Sequence, residues 1–190
     1  MFLITSIRVK NLAVGEREVS GDSVILGVDP GFHVTGYAIL KKSEGKTFLV
    51  DCGYLKMSSK QSLSKRVGIF YKFFTDKILA CGVREIALET SFLGKNAQTF
   101  LKLGYLRGVL YLLADQHNQV LHEFAPREVK SAVTGFGGAS KDQVANMVFR
   151  LFPRVSQLSV SAQNDVTDAL AISLCGLWHS GSELARMAKL

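Results

Sequence analysis

Two hydrophobic patterns alternate along the chain. Short apolar runs end at a polar residue or a turn, and longer stretches repeat apolar positions at helical spacing. Residues 24–29 form an apolar run, half of it β-branched, which ends in an acid before a Pro-Gly pair. This pattern predicts a buried central strand that meets a turn. Residues 35–40 and 47–54, separated by a polar turn at 41–46, predict two further strands. The sheet is therefore expected to begin with three consecutive strands.

Helical spacing of apolar positions first occurs at residues 63–79, where it predicts a helix that crosses back over the sheet. The apolar run at 85–89 follows this crossover, so we expect it to pair parallel with an earlier strand. One more strand and four more helices are predicted, in the order helix, strand, helix, helix, helix, at residues 96–116, 120–124, 126–133, 140–152 and 164–178, the last begun by Asn164 or Asp165. The sequence therefore predicts an α/β domain with a mixed five-stranded sheet flanked by helices.

Residues 1–22 precede the first strong strand signal. They start with a short apolar run but then carry acids, and they contain no convincing cleavage site. We interpret them as an N-terminal extension of unknown role, although a start site assigned too early would also explain them. The expected organisation is this extension, one folded domain at 23–180 and a C-terminal tail at 181–190.

Composition bounds the class of protein. The 190 residues, 47% of them hydrophobic and 21% charged, suit one globular domain. The net charge of +7 favours a polyanionic partner, although proteins that bind nothing acidic also carry such a surplus. Three scattered cysteines fit neither a disulfide framework nor a closely spaced zinc site, which favours a reducing compartment. Without an apolar run long enough to span a bilayer, the chain is expected to be soluble.

Four acids lie in segments that otherwise resemble protein core: Asp29, Glu89, Asp165 and Asp168. Acids are rarely buried unless they are paired or bind a metal. Asp165 and Asp168 are three residues apart in a predicted helix, which places both on one face. Carboxylate oxygens favour Mg²⁺ or Mn²⁺, and two such ions about 4 Å apart could activate a water for attack on a phosphodiester. The acids therefore indicate metal-dependent phosphodiester hydrolysis.

Other interpretations of these residues stay open at this point. Any one acid taken alone is better explained as a helix N-cap or a strand end, and only the coincidence of all four argues against this. The turn at Asp29-Pro30-Gly31, followed by Thr35-Gly36, would also suit the phosphate-binding hairpin of actin-like ATPases. Such enzymes normally enclose the nucleotide between two lobes, and this chain has room for one.

Four stretches of the sequence resemble the RuvC family of Holliday-junction resolvases: ILGVDPGFHVTGYAIL, ALETSFLGKNAQTFLKLGYLRGVL, APREVKSAVTGFGGASKDQV and NDVTDALAISL. They follow one another in family order across residues 25–174. The resemblance implies a ribonuclease-H-like fold and a homodimer that makes paired, magnesium-dependent nicks at four-way DNA junctions during recombination and repair. It also implies a bacterial cytoplasm, or an organelle of bacterial origin, and it raises a branch-migration motor as a further partner. Asp29, Glu89, Asp165 and Asp168 match the family's catalytic acids.

The resemblance also suggests DNA contacts. Lys130 and Lys141 match family lysines that are implied to contact DNA near the scissile phosphate, whereas the simpler interpretation is a solvated lysine. Phe92, followed by Lys95, could stack on an unpaired base, but it could equally belong to the core. Composition does not separate DNA from RNA or an RNA–DNA hybrid as substrate, so only the resemblance points to DNA.

The predicted helix at 96–116 places Gly104 and Gly108 four residues apart, which leaves one face open to close packing. This face could join two copies of the chain in a dimer. Alternatively, the glycines could allow the helix to lie tightly on its own sheet.

Overall fold

The computed structural model describes residues 4–8, 23–90, 97–157 and 160–187. The strands are β1 Ile4–Arg8, β2 Ser23–Asp29, β3 Val34–Ser43, β4 Lys46–Lys56, β5 Glu85–Glu89 and β6 Val120–Phe124. The helices are α1 Leu63–Cys81, α2 Ala97–Gln116, α3 Pro126–Thr134, α4 Lys141–Leu151 and α5 Val160–Met187, with a short 3-10 helix at Pro153–Gln157. None of the helices among these residues is both long and apolar enough to cross a bilayer.

The strands form one mixed sheet in the order β1-β4-β3-β2-β5-β6. β5 is parallel to both of its neighbours, β2 and β6, whereas the other pairs are antiparallel. The predicted mixed sheet and its five strands are confirmed. A sixth strand, β1, comes from the N-terminal extension and pairs with the edge of β4.

The hairpin between β3 and β4 is tighter than the predicted polar turn at 41–46. Strand pairing continues through Lys42↔Thr47 and Ser43↔Lys46, so only Glu44 and Gly45 form the turn. Both have positive φ, 51° and 74°, as a two-residue turn that follows the twist of its strands requires. The lysines lie in the strands rather than in the turn, because a sheet tolerates polar side chains where they reach solvent.

The sheet has a hydrophobic core on each face. On one face α1 and α2 pack around a cluster that includes Tyr37, Phe70, Phe74 and Leu106. On the other face α3, α4 and α5 pack around a cluster that includes Ile25, Leu170 and Ile172. Helices therefore cover both faces, as predicted.

The last helix differs from its predicted bounds at both ends. It begins at Val160 rather than at Asn164 or Asp165, and it continues beyond Trp178 through most of the predicted tail, to Met187. The polar residues after Trp178 interrupt the apolar periodicity, but Ser180 is buried and donates a hydrogen bond to the carboxylate of Glu85. A tertiary contact thus anchors the segment where the hydrophobic pattern stops.

Two glycines of the sheet allow α5 to lie directly on β2 and β3. A Cβ on Gly36 would lie 1.9 Å from the carbonyl oxygen of Asp165, and one on Gly27 would lie 2.2 Å from Oγ of Ser173. Any side chain at these positions would push the helix away from the sheet. The close approach brings the turn with Asp165 and Asp168 to the end of β2.

Candidate active site

Asp29 and Glu89 are the last residues of two neighbouring parallel strands, β2 and β5. The strands pair up to Val28↔Leu88, so the two acids emerge at the same edge of the sheet. Asp168 on α5 joins them at a cleft of about 240 Å³. Among the described residues, the other charged side chains lining this cleft are Arg107, Lys130 and Lys141.

Three of the four predicted acids therefore line one cleft. Asp165, one turn earlier on α5, does not line it but is close enough for its charge to raise the pKa of Asp29. Because α5 begins at Val160, both aspartates lie inside the helix, and their interpretation as N-caps is wrong.

Burial and mutual repulsion disfavour the charged forms of these acids. The pKa of Asp29 is raised to about 7, first by burial and then by the nearby carboxylates, with Asp168 contributing most among them. The pKa of Glu89 and that of Asp165 are also raised, in each case by burial first and by the charge of Asp168 second. The carboxylates therefore repel one another, and a cation bound between them would relieve this repulsion.

Two lysines bring positive charge to the cleft. Lys141 opens α4 directly after its cap, Ser140, and its Nζ lies 3.0 Å from Oδ2 of Asp168 although its side chain is 80% exposed. This hydrogen bond and the charge of Asp168 raise the pKa of Lys141. Lys130 on α3 lines the cleft, and its charge partly offsets the rise in the pKa of Glu89. Both predicted lysines are thus brought beside the acids.

The other two predicted contacts, Phe92 and Lys95, lie outside the described residues and stay predictions. Conversely, two polar residues that line the cleft were missed by the sequence analysis, Thr90 and Arg107. Thr90 follows Glu89, and its buried Oγ1 has no hydrogen-bond partner within the described part of the chain. The only sequence signal for Arg107 was a charge within an apolar stretch of a predicted helix.

The donor set suits a hard divalent cation, because it consists of carboxylate oxygens that repel one another. Within the described ranges, no three His, Cys, Asp or Glu side chains are close enough to enclose one ion. Mg²⁺ does not require such a cage, since it keeps several waters and binds through one or two carboxylates together with substrate phosphates. The open arrangement of the acids fits this mode of binding.

The raised pKa of Asp29 predicts how the metal-free protein responds to pH. Folding raises this pKa from 3.8 to about 7, so the group's contribution to stability is present below about pH 4 and is lost as the pH rises to 7. Without divalent metal, we expect the Tm of the wild type to fall over this range by roughly a few degrees relative to that of Asp29→Asn. Thermal unfolding in a chelator, from pH 4 to 8, measures this, and parallel pH profiles of the two proteins would contradict it.

Comparison with known proteins adds independent information. The family model for crossover junction endodeoxyribonuclease RuvC matches residues 25–176. The chain is 44% identical over 163 residues to the protein of that name from Chlorobium phaeobacteroides, covering 86% of each chain. It is 47% identical over 160 residues to the one from Pelodictyon phaeoclathratiforme, covering 84% of this chain and 82% of the relative.

Solved structures give the same fold. The Thermus thermophilus RuvC structure matches with a TM-score of 0.73 at 24% identity, covering 84% of this chain and 96% of the other. T. thermophilus RuvC in complex with a Holliday junction substrate also matches with a TM-score of 0.73, at 25% identity, covering 83% and 94% of the two chains. The predicted ribonuclease-H-like fold is thereby confirmed.

Proposed function

The chain belongs to the RuvC family of crossover junction endodeoxyribonucleases, and we propose that it resolves four-way DNA junctions through the carboxylate cleft at the ends of β2 and β5. It is a hydrolytic nuclease whose DNA substrate is the Holliday junction, in recombination and repair. The observation that supports this site is the convergence of Asp29, Glu89 and Asp168 on one cleft, with Asp165 one turn away.

Metal dependence follows from membership of the family; the identity and number of the ions are our proposal. We assign Asp29, Glu89, Asp165 and Asp168 as ligands of two Mg²⁺ ions, for which Mn²⁺ can substitute. When bound, such ions supply an activated water and stabilise the leaving oxygen of the phosphodiester. Asp29 and Glu89 are partly buried at strand ends, and we expect their strand backbone to orient these carboxylates before DNA arrives.

Lys130 and Lys141 complete the proposed site. A lysine beside the scissile phosphate stabilises the negative charge that develops in the transition state. Lys141 already contacts Asp168, so its positive charge stands at the acids and not on a remote surface. Phe92 and Lys95 remain proposed DNA contacts, with Phe92 as the candidate for stacking on an unpaired base.

We expect Lys141→Ala and Lys130→Ala to lower the cleavage rate by about ten- to a hundredfold while affecting junction binding much less. Many basic groups share the affinity for DNA, but few reach the reacting phosphate. Single-turnover rates at saturating enzyme, measured beside gel-shift affinities, separate the two effects. Lys42→Ala is the matched control, because Lys42 pairs with Ser23 at the opposite end of β2 from Asp29. Unchanged cleavage rates with weakened binding would show that both lysines only contact the DNA backbone and do not contribute to catalysis.

One assay tests the proposed substrate against the alternative of an RNA or hybrid nuclease. The protein is incubated with an immobile four-way junction, a linear duplex and an RNA–DNA hybrid, with and without Mg²⁺. We expect paired nicks in the junction, only with metal. Preferential cutting of the hybrid would overturn the proposal. The actin-like alternative is not favoured, because the described residues form a single sheet and provide one lobe.

The outer face of α2 supports a homodimer. A Cβ on Gly104 or Gly108 would meet nothing within 4 Å, so these glycines do not serve to pack α2 on its own sheet, and that interpretation is wrong. Large apolar side chains on the same helix are exposed: Leu101 by 57% and Leu112 by 48%. A second copy that covers this face would present two clefts to the symmetric strands of a junction.

A branch-migration motor as partner and a bacterial cytoplasmic setting also remain proposals.

A further inference from the structure

Arg107 lies on α2 between the two open glycines, but its own side chain is directed inward. The side chain is 12% exposed and lines the carboxylate cleft. The same stretch of α2 thus exposes Gly104 and Gly108 on the proposed dimer face and places the guanidinium of Arg107 at the carboxylate cleft.

The guanidinium joins three elements of the fold. Its Nη1 donates a hydrogen bond of 2.5 Å to the backbone carbonyl of Glu89, at the end of β5. Its Nη2 forms an ion pair with the carboxylate of Glu123 on β6. Glu123 is the strand partner of Leu88, the residue before Glu89. Arg107 therefore links α2 to the ends of both β5 and β6.

This link reaches Glu89 where the pairing of β5 with β2 has ended. The β2–β5 pairing stops at Leu88, whereas Glu89 still pairs with Phe124 of β6 and Thr90 N donates a hydrogen bond of 2.8 Å to the carbonyl of Phe124. The orientation of the Glu89 side chain depends on how firmly its own backbone is held. A bidentate guanidinium suits this task better than a lysine, because its planar fork fixes two acceptors in one geometry.

We propose that Arg107 is a positioning residue for the cleavage reaction, which holds the end of β5 so that the Glu89 carboxylate faces the cleft. The inference rests on the proposed role of Glu89 as a metal ligand. Both terminal nitrogens of Arg107 are engaged by protein groups, which distinguishes it from Lys141, whose side chain is 80% exposed to incoming DNA. A second copy on the open face of α2 would also steady the helix from which Arg107 extends.

Three variants test this role: Arg107→Met, which removes the link, Arg107→Lys, which keeps the charge without the fork, and Glu123→Gln, which weakens the second anchor. Arg84→Met is the matched control, because Arg84 is exposed and precedes the opposite end of β5. The measurements are single-turnover cleavage of a four-way junction over a Mg²⁺ series, junction affinity in a chelator, and Mn²⁺ binding to the DNA-free protein by calorimetry.

For Arg107→Met we expect cleavage and Mn²⁺ affinity to fall by about ten- to a hundredfold, as when an outer partner of a metal ligand is removed, with junction affinity unchanged. Arg107→Lys should recover part of the loss, and Glu123→Gln should show a smaller loss in the same direction. Wild-type Mn²⁺ affinity and rate in Arg107→Met would overturn the proposal, as would a loss of junction affinity that matches the loss of rate.

Circular dichroism shows whether each variant folds. If Arg107→Met is unfolded, Glu123→Gln decides: weakened Mn²⁺ binding supports the positioning role, and wild-type binding overturns it. Glu89→Gln, assayed in parallel, separates this inference from the proposed function. Retained cutting by Glu89→Gln would refute the site itself, whereas an inactive Glu89→Gln beside a fully active Arg107→Met would refute only the role of Arg107.

Discussion

Asp29→Asn is expected to lower junction cleavage by about a thousandfold or more while leaving junction affinity equal or higher. The substitution keeps the shape of the side chain but removes a charged oxygen that the proposed ions need. It also removes a negative charge from a cleft that must accept phosphates, which is why binding should not weaken. Single-turnover cleavage with Mg²⁺ and gel-shift binding without it measure the two effects separately.

Glu89→Gln should behave in the same way, because it removes the carboxylate at the end of the neighbouring strand. Asp76→Asn is the matched control, since Asp76 is an exposed partner of Lys72 on α1, away from the cleft. The control should cut at the wild-type rate. Retained magnesium-dependent cutting in either cleft variant would show that the wrong acids have been assigned.

Gly104→Glu is expected to abolish dimer formation at micromolar concentration and, with it, junction binding. The substitution should not disturb the fold of the single chain, because a Cβ at Gly104 meets nothing within 4 Å in it. Replacing a helical glycine by a good helix former should stabilise the single chain by up to about 1 kcal/mol. A bulky charge on the proposed interface would instead oppose docking of a second copy. Sedimentation and gel-shift binding measure the outcome.

Gly68→Glu is the control for Gly104→Glu, because Gly68 lies on α1 and its surroundings are equally open. It adds the same charge and the same gain in helix propensity away from the α2 face. We expect it to remain a dimer that binds junctions. A wild-type chain that is monomeric and still makes paired symmetric nicks would defeat the dimer proposal, and a dimeric Gly104→Glu would place the interface elsewhere.

The core of the fold could be predicted from local signals. The strand at 24–29 was recognisable because a buried strand needs a continuous apolar run, and its closing acid then had to lie at a strand end. The crossover helix made β5 parallel to β2, which placed Glu89 at the same edge as Asp29. The acids were conspicuous because charge inside apolar sequence requires a partner.

Other features depend on contacts that are distant in sequence. Arg107 binds the carbonyl of Glu89 and the carboxylate of Glu123, and nothing near it along the chain marks either partner. The continuation of α5 beyond Trp178 involves Ser180 and Glu85, which are far apart in sequence. The sequence alone left two roles open for Gly104 and Gly108, and only the surroundings of α2 decided between them.

The sequence by itself determined which residues carry charge into the apolar segments and which elements present them, since hydrophobic periodicity is a local property. Only the tertiary structure decided how closely those charges approach one another. Gly27 and Gly36 allow α5 to rest on the sheet, and this approach brings Asp168 beside Asp29 and Glu89. The raised pKa of Asp29 results from that burial and repulsion, which depend on distance in space rather than along the chain.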